Sequence, residues 1–280
     1  MKKHRSSPSQ TLCCLLFLAS AAAGIAEPTP AAASAFDSYV GALDSRLSGQ
    51  HQSKAGFLGP AASSIQTTTR LRQGELIIEN IAPANDGALP GALLHHWRGT
   101  AFVPEVTAAD FEHLLKDLDQ YPQYFSPQVL QAKALSGSSG HLQTSMRIRQ
   151  KHGLTVVMDT TYDVTFGALD PQHRYSISRS TRISELGSQG TLEEHVLKAG
   201  DEHGFLWRQN TYWTYEEGDG GLYMQIESVS LTRSIPAGLG WLVRPFVESI
   251  PREALEFTLR SARAALLNKR IQPTKKTNHP

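Results

Sequence analysis

The sequence predicts an α+β fold in which a mostly sequential antiparallel sheet is covered by one long C-terminal helix. Segments of alternating polar and apolar residues follow one another from about residue 93 to residue 232, and short turn sequences join them. After the last of these segments, apolar residues recur at helical spacing over about four turns. An amphipathic helix of this kind has to bury its apolar face, so we expect it to lie on the sheet.

The composition is that of an ordinary globular protein. The 280 residues are 40% hydrophobic and 19% charged, with 27 Lys and Arg against 26 Asp and Glu. These values exclude wholesale disorder and a disulfide scaffold. A net charge of +1 gives no electrostatic reason to expect nucleic acid as a partner.

The N-terminus has the pattern of a cleaved secretory signal. Lys2, Lys3 and Arg5 precede an apolar run of about 12 residues, which is shorter than the ~20 that a membrane-spanning helix needs. Small residues allow cleavage after Ala26 or after Ala35, and the sequence leaves both open. Both cysteines lie inside the run, so the mature protein is expected to lack thiols and to be periplasmic or secreted.

The chain between the signal, residues 1–26, and the first long strand forms an N-terminal extension, residues 27–92. Apolar residues at helical spacing predict a short helix there: Phe36, Tyr39, Val40, Leu43 and Leu47. A strand follows at 93–103 and is stopped by Pro104. Thr107 and Asp110 resemble a capping box that opens a helix ending near Pro122.

The remaining strands are predicted from alternation and turn residues. Their expected spans are 142–149, 154–166, 175–186, 205–216 and 222–232, joined by turns at 151–153, 170–173 and 217–221. The final helix is expected to begin with Ser249 as a cap and Pro251 in its first turn. Its apolar face consists of Ala254, Leu255, Thr258, Leu259, Ala262 and Leu266, and a disordered basic tail, 269–280, follows.

Two stretches resemble a known superfamily. In residues 117–125 an aspartate precedes a Tyr-Pro pair, and residues 227–231 and 250–253 form the second stretch. Together with the element order, they resemble the START-like, or SRPBCC, helix-grip superfamily, in particular its polyketide cyclase-like and coenzyme Q-binding branch and uncharacterised secreted bacterial members. The match covers about residues 93–267.

The resemblance implies a curved antiparallel sheet that grips the C-terminal helix in a domain spanning 93–268, with the helical extension outside the match. It also implies an apolar cavity between sheet and helix that holds a lipid or another hydrophobic molecule. The motifs are structural, so no catalytic residue is transferred from them.

Alternation selects candidate cavity residues on the predicted inner face. They are large apolar side chains of the strands and of the two predicted helices: Leu115, Leu118, Met146, Ile148, Met158, Tyr162, Trp207, Trp213, Met224, Ile226, Leu255 and Leu259. Each of them individually is better explained as core packing. As a set, they also suit an adaptable apolar pocket.

Three charged residues stand in otherwise strand-like segments: Asp163, Arg208 and Glu227. Facing inward, they would orient a polar head group or act in acid-base chemistry. The alternative is a position on the solvent face of the sheet, with pairing across strands.

Motifs for other chemistry are missing from the sequence. It contains no G-x-S-x-G, no phosphate-binding G-x-x-x-x-G-K-[ST] and no H-E-x-x-H. The acidic and histidine clusters at 193–195 and 201–203 could hold a divalent ion, but a solvated charged loop explains them better. We therefore expect no metal and no cofactor.

Three functions remain open, in the following order. The first is a carrier or sensor, rather than an enzyme, whose partner is a hydrophobic small molecule or lipid. The second is a cyclase, dehydratase or hydrolase that uses the same cavity, and the third is an interaction module with a closed core. The expected protein is a monomer that does not span the membrane and does not bind nucleic acid.

Overall fold

The structure is a computed structural model that describes residues 27–59, 64–83, 88–152, 154–198, 201–234 and 240–271. The expected signal peptide, 1–26, lies outside the described residues, as does the expected tail from residue 272 onward.

The described chain forms helices at both ends and strands between them. The helices are α1 (Pro30–Gln50), α2 (Ile65–Arg72), α3 (Ala108–Lys116), α4 (Tyr121–Tyr124) and α5 (Gly240–Ile271), with a 3-10 turn at Leu118–Gln120. The strands are β1 (Ile77–Asn80), β2 (Ala88–Leu89), β3 (Ala92–Pro104), β4 (Val129–Ser138), β5 (His141–His152), β6 (Leu154–Ala168), β7 (His173–Gly187), β8 (His195–Val196), β9 (Arg208–Gly218) and β10 (Gly221–Arg233).

These strands form one curved antiparallel sheet, which confirms the predicted fold class. Eight of them run in the order β1-β3-β10-β9-β7-β6-β5-β4, while β2 pairs with β3 and β8 pairs with β7. The turn between β9 and β10 is where the sequence places a hairpin, and Asp219 and Gly220 adopt φ angles of 52° and 75° there. Positive φ at both central positions gives a turn whose twist matches that of the paired strands.

The capping box of α3 is confirmed, but the helix is shorter than predicted. Thr107 Oγ1 accepts a hydrogen bond from the backbone N–H of Asp110, and the Asp110 carboxylate accepts one from the N–H of Thr107. The helix ends at Lys116 because Asp117, with a ψ of 62°, leaves the helical conformation. Pro122 instead lies in the first turn of α4, where its missing N–H is not needed.

The C-terminal helix α5 begins at Gly240 rather than at Ser249, so Pro251 lies inside the helix. It packs mainly against β3, where Gly99 allows a close approach of helix to sheet. A Cβ atom on Gly99 would lie 2.6 Å from Leu255 Cδ2 and 3.1 Å from Leu259 Cδ2. The absence of a side chain on Gly99 therefore brings α5 directly onto the strand.

The sheet carries a core on each face. The inner core joins α3 and α5 to the sheet and includes Phe111, Tyr215 and Leu259, all fully buried. The outer core lies under α1, where Phe36 and Leu47 pack with strand residues such as Leu231. The N-terminal extension therefore covers the outer face, opposite to the face that α5 covers.

Candidate functional site

A cavity of about 100 Å³ lies between the inner face of the sheet and helix α5. This is the location that the helix-grip resemblance predicts for a ligand. Strands β3, β5, β9 and β10 contribute to its wall, together with the segment before β9 and the middle of α5. The lining residues are Trp97, Gln150, Phe205, Leu206, Gln209, Thr211, Ile226, Ser228, Ser230, Thr232, Ile250, Pro251, Ala254, Leu255 and Thr258.

The wall formed by the sheet is polar. Thr211 and Ser228 are cross-strand partners on β9 and β10, and Gln209 and Ser230 are the next pair on the same face. Tyr162 donates a hydrogen bond from its hydroxyl to Gln209 Oε1 over 3.0 Å, which leaves the amide N–H groups of Gln209 unused in this contact. The strand alternation thus places small hydroxyl side chains where a closed core would carry branched aliphatic ones.

The wall formed by the helix is mostly apolar, because its one described hydroxyl, that of Thr258, donates a hydrogen bond to the Ala254 carbonyl over 2.9 Å. Ile250, Ala254 and Leu255 project from successive turns of α5 towards the sheet, since they lie at helical i, i+4 and i+5 positions. Trp97 and Ile226 extend this apolar surface on the sheet side. A molecule in the cavity would therefore contact hydrocarbon on one side and hydroxyl groups on the other.

One rim of the cavity is held in place by a buried carboxylate. Glu185 is 3% exposed and accepts hydrogen bonds from the backbone N–H groups of His203 and Phe205, at 3.0 and 3.1 Å. His203 Nδ1 lies 2.9 Å from the same carboxylate. Because Phe205 and Leu206 line the cavity, Glu185 fixes the shape of this rim.

Glu185 and the hydroxyl groups are not among the residues predicted from the sequence. Glu185 is a charged residue inside a predicted strand, the same signal that selected Asp163. Alternation from Ile226 places Ser228 and Ser230 on the inner face, and alternation from Trp213 places Thr211 there, but only large apolar residues were selected.

Among the described residues, none that lines the cavity is ionisable. The described wall therefore provides hydrogen bonds and apolar contacts, and it does not provide a proton donor or acceptor with a titratable charge. The buried imidazole of His95 lies behind this lining, with its Nε2 3.0 Å from Thr232 Oγ1.

The predicted cavity residues fall into four groups. Ile226 and Leu255 line the cavity. Others are buried in the inner face or its core, namely Leu115, Leu118, Met158, Tyr162, Trp213, Met224 and Leu259. Met146 and Ile148 are half-buried on β5, and Trp207 packs against the outer core. Their role as ligand contacts stays a prediction.

Glu227 is buried, 2% exposed, and lies on the outer face because Ile226 before it faces the cavity. Its carboxylate is 2.5 Å from Arg46 of α1, 3.0 Å from His96 Nε2 and 3.1 Å from Arg98. Burial acts to raise the pKa of Glu227, but the hydrogen bond from His96 and the charges of Arg98 and Arg46 outweigh it and lower the pKa to about 2. This ionised cluster ties α1 to β3 and β10.

The other two charged candidates also lie away from the cavity lining. Asp163 is partly buried and is the cross-strand partner of Arg179, whose guanidinium contacts Asp44 of α1. Arg208 is exposed at the start of β9. A role for either residue in contacting a ligand head group stays a prediction.

A larger depression, of about 600 Å³, lies along strands β4 to β7 and is open to solvent. Its central guanidinium, Arg147, is held by Asp159 at 2.7 and 2.9 Å and by Glu194 at 2.7 Å. Arg147 is therefore already paired with two carboxylates, while the lining also includes Lys133 and Arg182.

The acidic and histidine clusters of the sequence do not converge. Glu194 bonds to Arg147, whereas His203 lies against Glu185. In the part of the chain that the structure describes, no three His, Cys, Asp or Glu side chains are grouped as metal ligands would be. The described helices also include none with the length and apolar character needed to cross a membrane.

No protein-family model matches the chain, and no curated protein matches it. Similar solved structures include a STAR-related lipid transfer protein fragment from Xanthomonas axonopodis, which is 17% identical, with a TM-score of 0.43 over 69% of this chain and 98% of that one. A START superfamily protein from Mycobacterium smegmatis is 13% identical, with a TM-score of 0.41 over 62% of this chain and 97% of that one. The Zhui aromatase/cyclase from Streptomyces sp. R1128 is 13% identical, with a TM-score of 0.45 over 65% of this chain and 98% of that one. The antiparallel sheet and the C-terminal helix of this chain match the α+β arrangement that the helix-grip resemblance implies.

Proposed function

We propose that this protein binds a hydrophobic small molecule with a polar edge in the cavity between its sheet and helix α5. The observation that carries the proposal is the contrast between the two walls, one formed by hydroxyl groups and the other by Ile250, Ala254 and Leu255. A purely structural core would gain more from apolar residues on both walls, because buried hydroxyl groups without partners are destabilising.

Binding is favoured over catalysis by the chemistry of the lining. A cyclase, dehydratase or hydrolase needs a group that takes up or releases a proton beside the substrate. The side chains of the described lining that can make polar contacts are hydroxyls, amides and the indole of Trp97, and none of them is ionisable. A carrier or sensor needs no more than these.

The size of the cavity restricts the guest. At about 100 Å³ it has room for roughly three water molecules, whereas pockets for drug-sized ligands measure about 300–1,000 Å³. The guest is therefore compact, or α5 moves away from the sheet to admit it. Pro251 lies at the cavity and cannot donate the usual helical hydrogen bond, which makes this part of α5 the easiest to bend.

Apolar contact alone gives only weak binding. Burying roughly 200 Å² of hydrocarbon at about 25 cal/mol/Å² contributes ~5 kcal/mol, against ~4 kcal/mol or more lost on association. The net value corresponds to an affinity weaker than millimolar. Useful affinity thus depends on the hydrogen bonds that the polar wall supplies.

We further propose that the protein acts in the periplasm or outside the cell. The support is the basic and apolar pattern of residues 1–26. Fractionation of the source cells with N-terminal sequencing of the mature protein tests this. A cytoplasmic protein that retains residues 1–26 would contradict it.

The binding proposal is tested with 1-naphthol, a fluorescent bicyclic compound with a single hydroxyl. We expect saturable binding to the wild type and its loss in Ser228→Leu, because the leucine side chain would fill the cavity. The control is Ser136→Leu, the same change at an exposed position of β4, which should bind as the wild type does. Equal binding by Ser228→Leu and the wild type would overturn the proposal.

A second test identifies the natural guest. The protein is purified from its own source, and native mass spectrometry is combined with organic extraction. Recovery of a stoichiometric hydrophobic molecule is expected from the wild type and not from Ser228→Leu. Equal recovery from both would place the molecule elsewhere.

A further inference from the structure

Three hydroxyl groups of the polar wall, those of Thr211, Ser228 and Ser230, make no hydrogen bond to another described side chain, whereas Thr232 Oγ1 lies 3.0 Å from His95 Nε2. Ser230 is only 6% exposed and lines the cavity, yet its Oγ makes no hydrogen bond to any described residue. The same holds for the hydroxyls of Thr211 and Ser228 among the described residues. Ser230 is buried, whereas Thr211 and Ser228 are half-buried. Buried hydroxyl groups are normally paired, so these three groups are available to a molecule bound in the cavity.

The strand register fixes the arrangement of these groups. Thr211 is opposite Ser228, and Gln209 is opposite Ser230. Paired positions on neighbouring antiparallel strands are about 5 Å apart, and positions i and i+2 along a strand are about 7 Å apart. The four side chains therefore mark the corners of a rectangle of about 5 by 7 Å on the sheet.

The wall is suited to neutral oxygen atoms. Hydroxyl groups both donate and accept hydrogen bonds, and the amide nitrogen of Gln209 donates them. No cation lines the described cavity, so a carboxylate or a phosphate would be buried without a counter-charge. Hydroxyl or carbonyl oxygens avoid this penalty.

We propose that the site selects a compact molecule that carries two neutral oxygen atoms about 5 Å apart on one edge and hydrocarbon on the opposite edge. The two oxygens meet the Thr211 and Ser228 hydroxyls, and the hydrocarbon meets Leu255 across the cavity. This inference rests on the proposed binding function and adds to it the spacing that the guest must have. A plain hydrocarbon chain would leave the buried hydroxyl groups unpaired and would bind less tightly.

The test compares two isomers of dihydroxybenzene. Resorcinol, the meta isomer, holds its oxygens about one strand spacing apart, whereas catechol holds them at roughly half that distance. The isomers have the same size, composition and number of hydroxyl groups. Ligand-observed NMR titration should give resorcinol an about tenfold lower Kd, since catechol can satisfy only one of the two hydroxyl positions.

Two variants separate spacing from general affinity. Thr211→Val combined with Ser228→Ala removes both hydroxyls with little change in volume, and it should bring the ratio of the two Kd values close to one. Thr165→Val changes an exposed threonine of β6 and should leave the ratio as in the wild type.

The outcomes distinguish the two proposals. Two results would overturn the spacing inference alone. In the first, the wild type binds both isomers with equal affinity. In the second, it binds neither isomer, although it still binds 1-naphthol and loses that binding in Ser228→Leu. A preference for resorcinol that persists in the double variant would also overturn it. Failure of 1-naphthol to respond to Ser228→Leu would overturn the binding function itself.

Discussion

Replacing Glu227 with glutamine is expected to destabilise the protein by about 3 kcal/mol at pH 7. The change keeps the shape of the side chain but removes the charge that Arg46 and Arg98 share. In the folded protein the pKa of Glu227 is about 2, against an ordinary value of 4.5. This difference corresponds to roughly 3 kcal/mol, which agrees with the usual effect of removing one partner from a buried ion pair.

The pH dependence follows from the direction of the shift. Because the pKa of Glu227 is lowered by folding, the stabilisation is complete above about pH 4.5 and is lost as the pH falls towards 2. By pH 3 the wild type should have lost about 2 kcal/mol of this contribution. Other carboxylates titrate in the same range, so the quantity to follow is the difference between the wild type and Glu227→Gln.

Urea denaturation followed by circular dichroism, at pH 7 and at pH 3, measures this difference. The control Glu256→Gln changes an exposed ion pair with Arg260 on α5 and should alter stability by less than about 0.5 kcal/mol. Equal stability of Glu227→Gln and the wild type at pH 7 would refute the stabilising role of the Glu227 charge. So would a difference in unfolding free energy between the two proteins that is the same at pH 7 and pH 3. Binding of 1-naphthol should survive in folded Glu227→Gln, because the cluster lies on the opposite face of the sheet.

Three further changes test the packing and the helix termini by thermal and urea denaturation. Leu259→Ala, at a fully buried position, should destabilise the protein by about 3 kcal/mol, and a loss below about 1 kcal/mol would show that the core under α5 is loosely packed. Gly99→Ala should cost about 1–3 kcal/mol because its Cβ would lie 2.6 Å from Leu255 Cδ2, and an unchanged melting temperature would contradict the close contact. Thr107→Ala should cost about 1 kcal/mol through loss of the cap of α3, whereas Ser136→Ala, on an exposed part of β4, should have little effect.

Local signals allowed much of the fold to be predicted. The hairpin at 217–221 and the capping box of Thr107 depend on a few adjacent residues, and both are present in the structure. Strand β4 was missed because its exposed sequence from Val129 to Ser138 has little alternation. The start of α5 was misplaced because Pro251 is typical of a first helical turn, yet packing against the sheet keeps it within a longer helix.

The candidate site was harder to predict from the sequence than the fold was. Its location follows from the element order, and two of the predicted inner-face residues, Ile226 and Leu255, lie in its lining. The hydroxyl pair of Thr211 and Ser228 requires the register between β9 and β10, which single-strand patterns do not give. The outer cluster of Glu227 likewise depends on Arg46, distant in sequence, and on α1 covering that face.

The position of the bound molecule most directly tests the proposal that a ligand binds between the sheet and helix α5. Methyl-labelled protein titrated with 1-naphthol would report on Ile226 and Leu255, which line the cavity, and on Val229 and Leu231, which lie in the outer core. We expect saturable shifts of the Ile226 and Leu255 methyl signals and none of comparable size for Val229 and Leu231. Shifts confined to the outer core, or spread evenly over both faces, would contradict it.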